Sequence, residues 1–190
     1  MFKIAVMASG SGTNAEKIVR HFQSSKLASV EIIVTNNPKA GVIDRFQDIN
    51  VPVLLFDDPK EQVSVLNHLK DKVDVILLAG YLKMIPKSWI HAFEGKILNI
   101  HPALLPKFGG KGMYGMHVHR AVSEQKEKLT GITIHEVNDR YDEGKTVAQF
   151  SVELTPGEDP KRIEQKVRAL ELRNYASAVE RWLEQMSQDK

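Results

Sequence analysis

The chain has 190 residues, no cysteine and a formal net charge of +2. The lack of cysteine excludes disulfides, thiolate nucleophiles and cysteine metal sites, and agrees with a reducing compartment, so we expect a cytoplasmic protein. Lysine and arginine are scattered rather than striped, which does not support nucleic-acid binding. No stretch approaches the roughly 20 apolar residues that cross a bilayer. We expect a single domain over residues 1–190.

Apolar runs typical of buried parallel strands alternate with segments of helical periodicity. This order predicts an α/β fold, with a doubly wound, mostly parallel sheet, helices on both faces and an antiparallel late strand. The predicted strands are 2–7, 30–35, 53–56, 73–79, 97–100, 131–137 and 146–154. The predicted helices are 14–22, 42–49, 59–69, 117–123 and 160 to about 186, and in the third of these Val63, Leu66 and Leu69 should face inward.

A glycine-rich turn follows the first predicted strand and precedes the first helix. Gly10 and Gly12 let the backbone approach an anion, and the start of the helix directs N–H groups toward it, with Thr13 and Asn14 as further donors. The second strand ends in asparagines and lacks the acid that binds ribose in a dinucleotide site. The sequence therefore favours a single phosphate over NAD. A tight turn without a ligand is the alternative.

Asn99 and His101 lie two residues apart at the end of a strand that Pro102 terminates. They share one face, at the carboxyl edge of the sheet where open α/β folds bind ligands. An amide can stabilise an oxyanion and an imidazole can carry a proton, whereas contacts to loop backbone are the alternative role. Asp142, in the loop between the last two strands, would raise the pKa of His101 if it lay beside it. Position alone does not separate Asp142 from its acidic neighbours.

Three further features leave alternatives open. His117 and His119 are spaced like metal ligands, but no third ligand is evident and we expect no metal site. His135 either faces the site from its strand or is a satisfied core histidine. Residues 82–85 form either a flat pocket for a heterocycle or a packed short helix, and we favour the helix.

Four motifs stand in order along the chain, and together they resemble one family. They are Gly10-Ser-Gly-Thr-Asn14, Leu78-Ala-Gly-Tyr-Leu82, Asn99-Ile-His-Pro102 with Leu104-Leu-Pro106, and Asp142-Glu-Gly144. The chain resembles the folate-dependent formyltransferases over nearly its whole length, and among them the phosphoribosylglycinamide formyltransferases. The resemblance implies transfer of a formyl group from the co-substrate 10-formyltetrahydrofolate to the amine of glycinamide ribonucleotide, in purine biosynthesis and without a metal.

The resemblance also implies roles for individual residues. Asn99, His101 and Asp142 would be catalytic. The substrate phosphate would be bound by Gly10, Gly12, Thr13 and Asn14, and the ribose hydroxyls by Glu171. Folate would be bound by Leu82, Lys83, Met84, Ile85, Asn99, Arg140 and Tyr141. Residues 1–100 would form the phosphate-binding half, and residues 101–190 the folate and catalytic-loop half with the last helix.

The sequence departs from the family pattern in three places. Lys83 stands where arginine is common, and Arg168 stands where glutamine is common. The glycine-rich stretch 109–116 is longer than in the shortest family members. These departures concern the folate tail and the loop conformation rather than the catalytic set.

Other functions are compatible with parts of this pattern. A 10-formyltetrahydrofolate hydrolase would carry an extra N-terminal regulatory domain, and a methionyl-tRNA formyltransferase a C-terminal RNA-binding domain. We expect neither, because the first strand begins at residue 2 and the chain ends soon after the last helix. A nonenzymatic nucleotide-binding module on the same fold is the alternative from another class. We expect small-molecule substrates as the only partners, and either a monomer or a homodimer.

Overall fold

A computed structural model describes residues 1–188 of the chain. The strands in this range are β1 Phe2–Met7, β2 Ala28–Thr35, β3 Val53–Leu55, β4 Val75–Leu78, β5 Ile97–His101, β6 Leu129–Glu136 and β7 Thr146–Glu153. Within it they form one seven-stranded sheet, in the order β3-β2-β1-β4-β5-β6-β7. β1 pairs in parallel with β2 and β4, and β2 with β3, whereas β6 and β7 are antiparallel. The predicted α/β class and mostly parallel sheet are confirmed.

Six α-helices lie within residues 1–188. They are α1 Thr13–Phe22, α2 Gly41–Arg45, α3 Gln62–Lys70, α4 Lys87–Ala92, α5 Met116–Glu124 and α6 Pro160–Gln188. α1 buries a single stripe of apolar residues, as its periodicity predicts. Asp159 precedes α6 and caps it, because its carboxylate accepts the N–H groups of Lys161 and Arg162 at 3.0 and 3.2 Å, and Pro160 fills the first helical position. Within residues 1–188, no helix combines the length and apolar character needed to cross a bilayer.

Three predicted helical segments were wrong in detail. The helix predicted at 42–49 ends at Arg45. The helix predicted at 59–69 starts as a 3₁₀ turn, Pro59–Glu61, before α3 begins. Val63 is 67% exposed, whereas Val65, Leu66 and Leu69 are buried. At about 100° per residue, Val63 lies about 120° from Leu69 around α3, and therefore outside the buried stripe.

The third error is the helix favoured at 82–85, where the chain is irregular. The helix α4 begins only after Pro86, whose extended backbone, with φ −61° and ψ 144°, separates the two segments. Proline is tolerated at the start of a helix because a backbone N–H at that position would have no helical partner.

The chain divides into two compact units. Unit 1 holds residues 1–98 together with residues 180–188, and unit 2 holds residues 99–179. In unit 1, the buried apolar residues of β1, β2 and β4 form the core, and the end of α6 is tied to α1 by a 2.9 Å contact between His21 and Glu180. In unit 2, the core includes Ile132, Ile163 and Tyr175. A single domain with halves 1–100 and 101–190 stays a prediction.

We predict that Gly131→Ala destabilises unit 2. A Cβ at Gly131 would lie 2.0 Å from the carbonyl oxygen of Phe150 on the paired strand β7, and backbone cannot yield as a side chain does. Overpacking costs about 1–3 kcal/mol, so we expect a loss of about 2 kcal/mol or more in the free energy of unfolding, measured with denaturant. Gly10→Ala is the matched control, because a Cβ there meets nothing within 4 Å. Equal stability of the two variants would contradict the prediction.

Candidate active site

Four polar side chains converge in unit 2 at the end of β5. Nδ1 of His101 lies 3.6 Å from Oδ2 of Asp142, and Nε2 of His135 lies 3.6 Å from Oδ1 of the same carboxylate. The amide nitrogen of Asn99 lies 3.2 Å from Nε2 of His135. The three residues predicted as a catalytic set are therefore close together, with His135 as a fourth member. Both imidazoles are buried, at 3% and 2% exposure.

The loop between β6 and β7 bends back so that Asp142 reaches this cluster. Asp142 has a left-handed backbone, with φ 57°, which aspartate tolerates better than most residues. Gly144 lets the loop press against β6, since a Cβ there would lie 1.6 Å from the carbonyl oxygen of Glu136. The N–H of Gly110 donates to Oδ2 of Asp142 at 2.8 Å. Two loops thus fix the carboxylate.

The neighbouring acids do not join the cluster. Asp139 is exposed, and Glu143 forms a surface pair with Arg140 at 3.3 Å. The sequence could not single out Asp142 among these carboxylates, because its selection depends on the left-handed turn and on a contact with a distant loop.

The protonation of His101 follows from its hydrogen bond. Nε2 lies 2.8 Å from the carbonyl oxygen of Phe108, which can only accept, so Nε2 carries a proton. Burial lowers the pKa of His101 most strongly, while the charge of Asp142 and the Phe108 carbonyl raise it. The effect of Asp142 has the expected sign, but burial outweighs it, and the net pKa lies below the ordinary value. His101 is therefore mainly neutral at pH 7, with Nδ1 facing the carboxylate.

His135 faces the site, which resolves the alternative that the sequence left open. It alternates with the buried residues Ile132 and Ile134, so its side chain leaves the strand on the other face. Its Nδ1 donates to the carbonyl oxygen of Glu136 at 2.9 Å. Burial lowers the pKa of His135 more than the Glu136 carbonyl and Asp142 raise it.

A buried hydroxyl holds the chain that follows His101. Oγ1 of Thr133 donates to the carbonyl oxygen of Ala103 at 2.7 Å and accepts the N–H of Leu105 at 2.9 Å. Thr133 lies on β6, on the same face as His135. The strand β6 therefore orients the segment that follows β5, through Thr133, and contributes His135 to the cluster of polar side chains.

The predicted phosphate loop lies in unit 1, between β1 and α1. Gly12 caps α1 with φ 73°, and a Cβ there would lie 2.5 Å from a methyl group of Val42. Val42 donates its N–H to the carbonyl oxygen of Gly10 at 3.0 Å, and Nε of Arg45 donates to that of Ser11 at 2.6 Å. The short helix α2 therefore shapes the loop, and it needs glycine at position 12. Thr13 and Asn14 open α1 and are partly buried.

The predicted folate residues of unit 1 follow β4, beside this loop. The sheet order reverses between β1 and β4, which is where open α/β sheets bind ligands. Ser9 connects the two loops, since its N–H donates to the Gly80 carbonyl and its Oγ accepts the Leu82 N–H, each at 3.0 Å. Leu82 and Met84 are 60% and 50% exposed, whereas Ile85 is buried and Lys83 is exposed. Exposed apolar side chains at such an edge suit a ligand surface.

The remaining predicted residues lie in unit 2. Arg140 and Tyr141 are exposed in the loop that carries Asp142. Glu171 is half-buried on α6, and its charge adds to the burial that raises the pKa of Tyr175. The roles of these residues in binding folate and ribose stay predictions.

The histidine pair on α5 has no metal-site geometry. His119 is buried and His117 is exposed, so the two side chains occupy different surroundings. In residues 1–188, no group of three or more possible ligands is placed to hold a metal ion.

We predict that His101 titrates below pH 6.5 and that Asp142→Asn lowers its pKa further, because the substitution removes the charge that raises it. Nuclear magnetic resonance titration of the imidazole measures both values. A histidine whose pKa is lower in the folded chain binds fewer protons when folded, so its contribution to stability is present above about pH 6.5 and is lost as the pH falls below it. A titration above 6.5, or no response to the substitution, would contradict this account.

Comparison with known proteins gives one consistent result. Residues 2–179 match the family described as formyl transferase. The chain is 40% identical, over 93% of its length, to chloroplastic phosphoribosylglycinamide formyltransferase of Arabidopsis thaliana, and spans only 64% of that protein. It is 34% identical to phosphoribosylglycinamide formyltransferase of Bacillus subtilis, covering 96% of this chain and 95% of that one. The crystal structure of glycinamide ribonucleotide transformylase 1 from Geobacillus kaustophilus matches with a TM-score of 0.86 and 36% identity, over 96% and 99% of the two chains.

Proposed function

The chain belongs to the formyl transferase family, and on that premise we propose that it transfers the formyl group of 10-formyltetrahydrofolate to the amine of glycinamide ribonucleotide, a step of purine biosynthesis. The observation that carries the proposal is the convergence of Asn99, His101 and Asp142 in unit 2. The relatives named as phosphoribosylglycinamide formyltransferases support the choice of acceptor. Cytoplasmic location and a monomeric or homodimeric state stay predictions.

The transfer needs a stabilised oxyanion. The amine nitrogen attacks the formyl carbon, a C–N bond forms, and the carbonyl electron pair moves to oxygen. The amide N–H of Asn99 and the Nε2–H of His101 are the donors that we assign to that oxygen. The Phe108 carbonyl accepts the Nε2–H of His101 in this structure, so an oxyanion would compete with it for that hydrogen.

The transfer also needs one proton to move. The attacking amine gives up one proton and nitrogen 10 of the folate takes one. The oxyanion electron pair then re-forms the carbonyl as the bond between the carbon and nitrogen 10 breaks, so no net proton is gained or lost. Burial holds His101 neutral, able to accept a proton, and Asp142 beside Nδ1 favours the imidazolium once it forms. The pair can therefore hold the proton between donor and acceptor.

We assign the substrate phosphate to the loop of unit 1. Gly10, Gly12, Thr13 and Asn14 lie where the backbone N–H groups of α1 begin. Glu171 is assigned to the ribose hydroxyls, and the segment 82–85 with Asn99, Arg140 and Tyr141 to the folate, on the family resemblance. Lys83 and Arg168 are the positions where these assignments depart from the common family pattern.

We predict that His101→Ala and Asp142→Asn nearly abolish turnover while both substrates still bind. Removal of a positioned oxyanion donor or proton carrier costs roughly 100- to 1,000-fold in kcat. The measurement is folate absorbance during turnover, with substrate affinities from calorimetry. Asp139→Asn, the same change on the exposed neighbour, is the matched control and should keep the wild-type rate.

The same assay separates the alternatives. Folate consumption without the amine acceptor would indicate a hydrolase. Ribonucleotide binding without formyl transfer would indicate a nonenzymatic module. Wild-type rates in both catalytic-set variants would refute the assignment of the site.

We predict that Asn14→Ala raises the KM for glycinamide ribonucleotide about 10-fold or more with kcat little changed. A hydrogen bond to a charged group contributes about 1.5–3 kcal/mol, and its loss weakens binding before the chemical step. An acceptor without the phosphate should not respond, and Asn50→Ala, on an exposed asparagine of unit 1, should match the wild type. An effect confined to the folate KM would count against the phosphate loop.

A further inference from the structure

We propose that His135 is a positioning residue, which fixes the amide plane of Asn99 and leaves to His101 the proton that Asp142 attracts. The inference rests on the proposed function for the roles of Asn99, His101 and Asp142. His135 itself is assigned no contact with substrate. It acts indirectly, through Asn99, His101 and Asp142, to which we assign the catalytic roles.

The hydrogen bonds of His135 determine its tautomer. The Glu136 carbonyl can only accept, so the proton of the neutral ring lies on Nδ1, 2.9 Å away. Nε2 is then an acceptor, and the Asn99 amide donates to it at 3.2 Å. An imidazole with the opposite tautomer could satisfy neither partner.

This arrangement orients Asn99. A carboxamide has two N–H groups in one plane, and one of them is held by Nε2 of His135. The plane of the amide is then fixed, and so is the direction of the second N–H, the one that we assign to the oxyanion. An amide without this acceptor could rotate and exchange its oxygen for its nitrogen at the reacting position.

The same contact decides which imidazole takes the proton. Asp142 lies 3.6 Å from both rings, so its charge alone does not distinguish them. A proton on Nε2 of His135 would displace the Asn99 N–H, whereas His101 uses Nε2 for Phe108 and keeps Nδ1 for Asp142. The charged and titratable groups that act on His135 are Asp142 and His101. The proton therefore goes to His101.

A direct test uses nuclear magnetic resonance of the histidine ring nitrogens in the whole chain. We expect the Nδ1–H tautomer of His135 in the wild type. We also expect Asn99→Ala to raise the pKa of His135, because the donor that favours its neutral form is lost while Asp142 remains. The opposite tautomer, or an unchanged titration in Asn99→Ala, would overturn the proposal. This test needs no catalytic activity.

A kinetic test distinguishes positioning from packing. We expect His135→Gln, which can present an acceptor oxygen to Asn99, to keep kcat within about 10-fold of the wild type. We expect His135→Phe, which fills the space without an acceptor, to lose roughly 100-fold in kcat with both KM values nearly unchanged. Ile134→Val, on the opposite face of β6, controls for loss of packing and should keep kcat.

The outcomes separate this proposal from the proposed function. If the wild type shows no formyl transfer, the proposed function fails, and the ring-nitrogen measurement still decides the role of His135. If the wild type transfers formyl groups and His135→Phe matches its kcat, the positioning role fails alone. Thermal denaturation shows whether His135→Phe folds. If it does not, the proposal is tested by comparing His135→Gln with Asn99→Ala. Equal losses of kcat in these two variants would contradict the proposal.

Discussion

One carboxylate, half-buried between two imidazoles, is the constraint on which the site in unit 2 depends. A charge removed from water is costly unless it is hydrogen-bonded or paired. Asp142 has one strong donor, the N–H of Gly110 at 2.8 Å, and two imidazoles at 3.6 Å. Burial lowers the pKa of both rings, so neither is already charged. Each neutral ring can accept a proton, and the nearby carboxylate favours the imidazolium once it forms, which suits a reaction that moves one proton between two nitrogens.

The backbone around this carboxylate is left-handed at two positions that are not glycine. Phe108 and Asp142 both have left-handed φ angles, 58° and 57°, and each directs a polar group into the cluster. A Cβ at Gly109 would lie 3.3 Å from the Cβ of Asp142, so the two loops meet at a point with little room for a side chain. Strained backbone persists where the surrounding structure over-determines it, and such positions cluster at active sites. The packing of two loops, rather than either loop alone, therefore sets the geometry.

Features that depend on local sequence could be predicted, whereas those that depend on the packing of two distant loops could not. Each predicted strand has a counterpart because apolar runs bounded by Gly, Pro or Asp signal strands locally, and Asn99 and His101 share a face through simple alternation. The inward position of Val63 was wrong because the turn of α3 by about 100° per residue places Val63 about 120° from Leu69, outside the buried stripe. Asp142 entered through the family resemblance, since no local pattern distinguishes it from Asp139. The alternation of His135 was visible, but its partner Asn99 is 36 residues away in the sequence, and pairing over that distance depends on the order of strands.

The two units differ in how strongly they support an enzymatic function. In unit 1, a glycine-shaped loop ahead of α1, braced by Val42 and Arg45, would serve a nonenzymatic nucleotide-binding protein as well as an enzyme. Unit 2 favours an enzyme over a nonenzymatic nucleotide-binding protein. Burying two histidines beside a half-buried carboxylate costs free energy of desolvation, and a binding module does not need a group that accepts a proton. A fold alone does not fix function, so the case for formyl transfer depends on the cluster of unit 2.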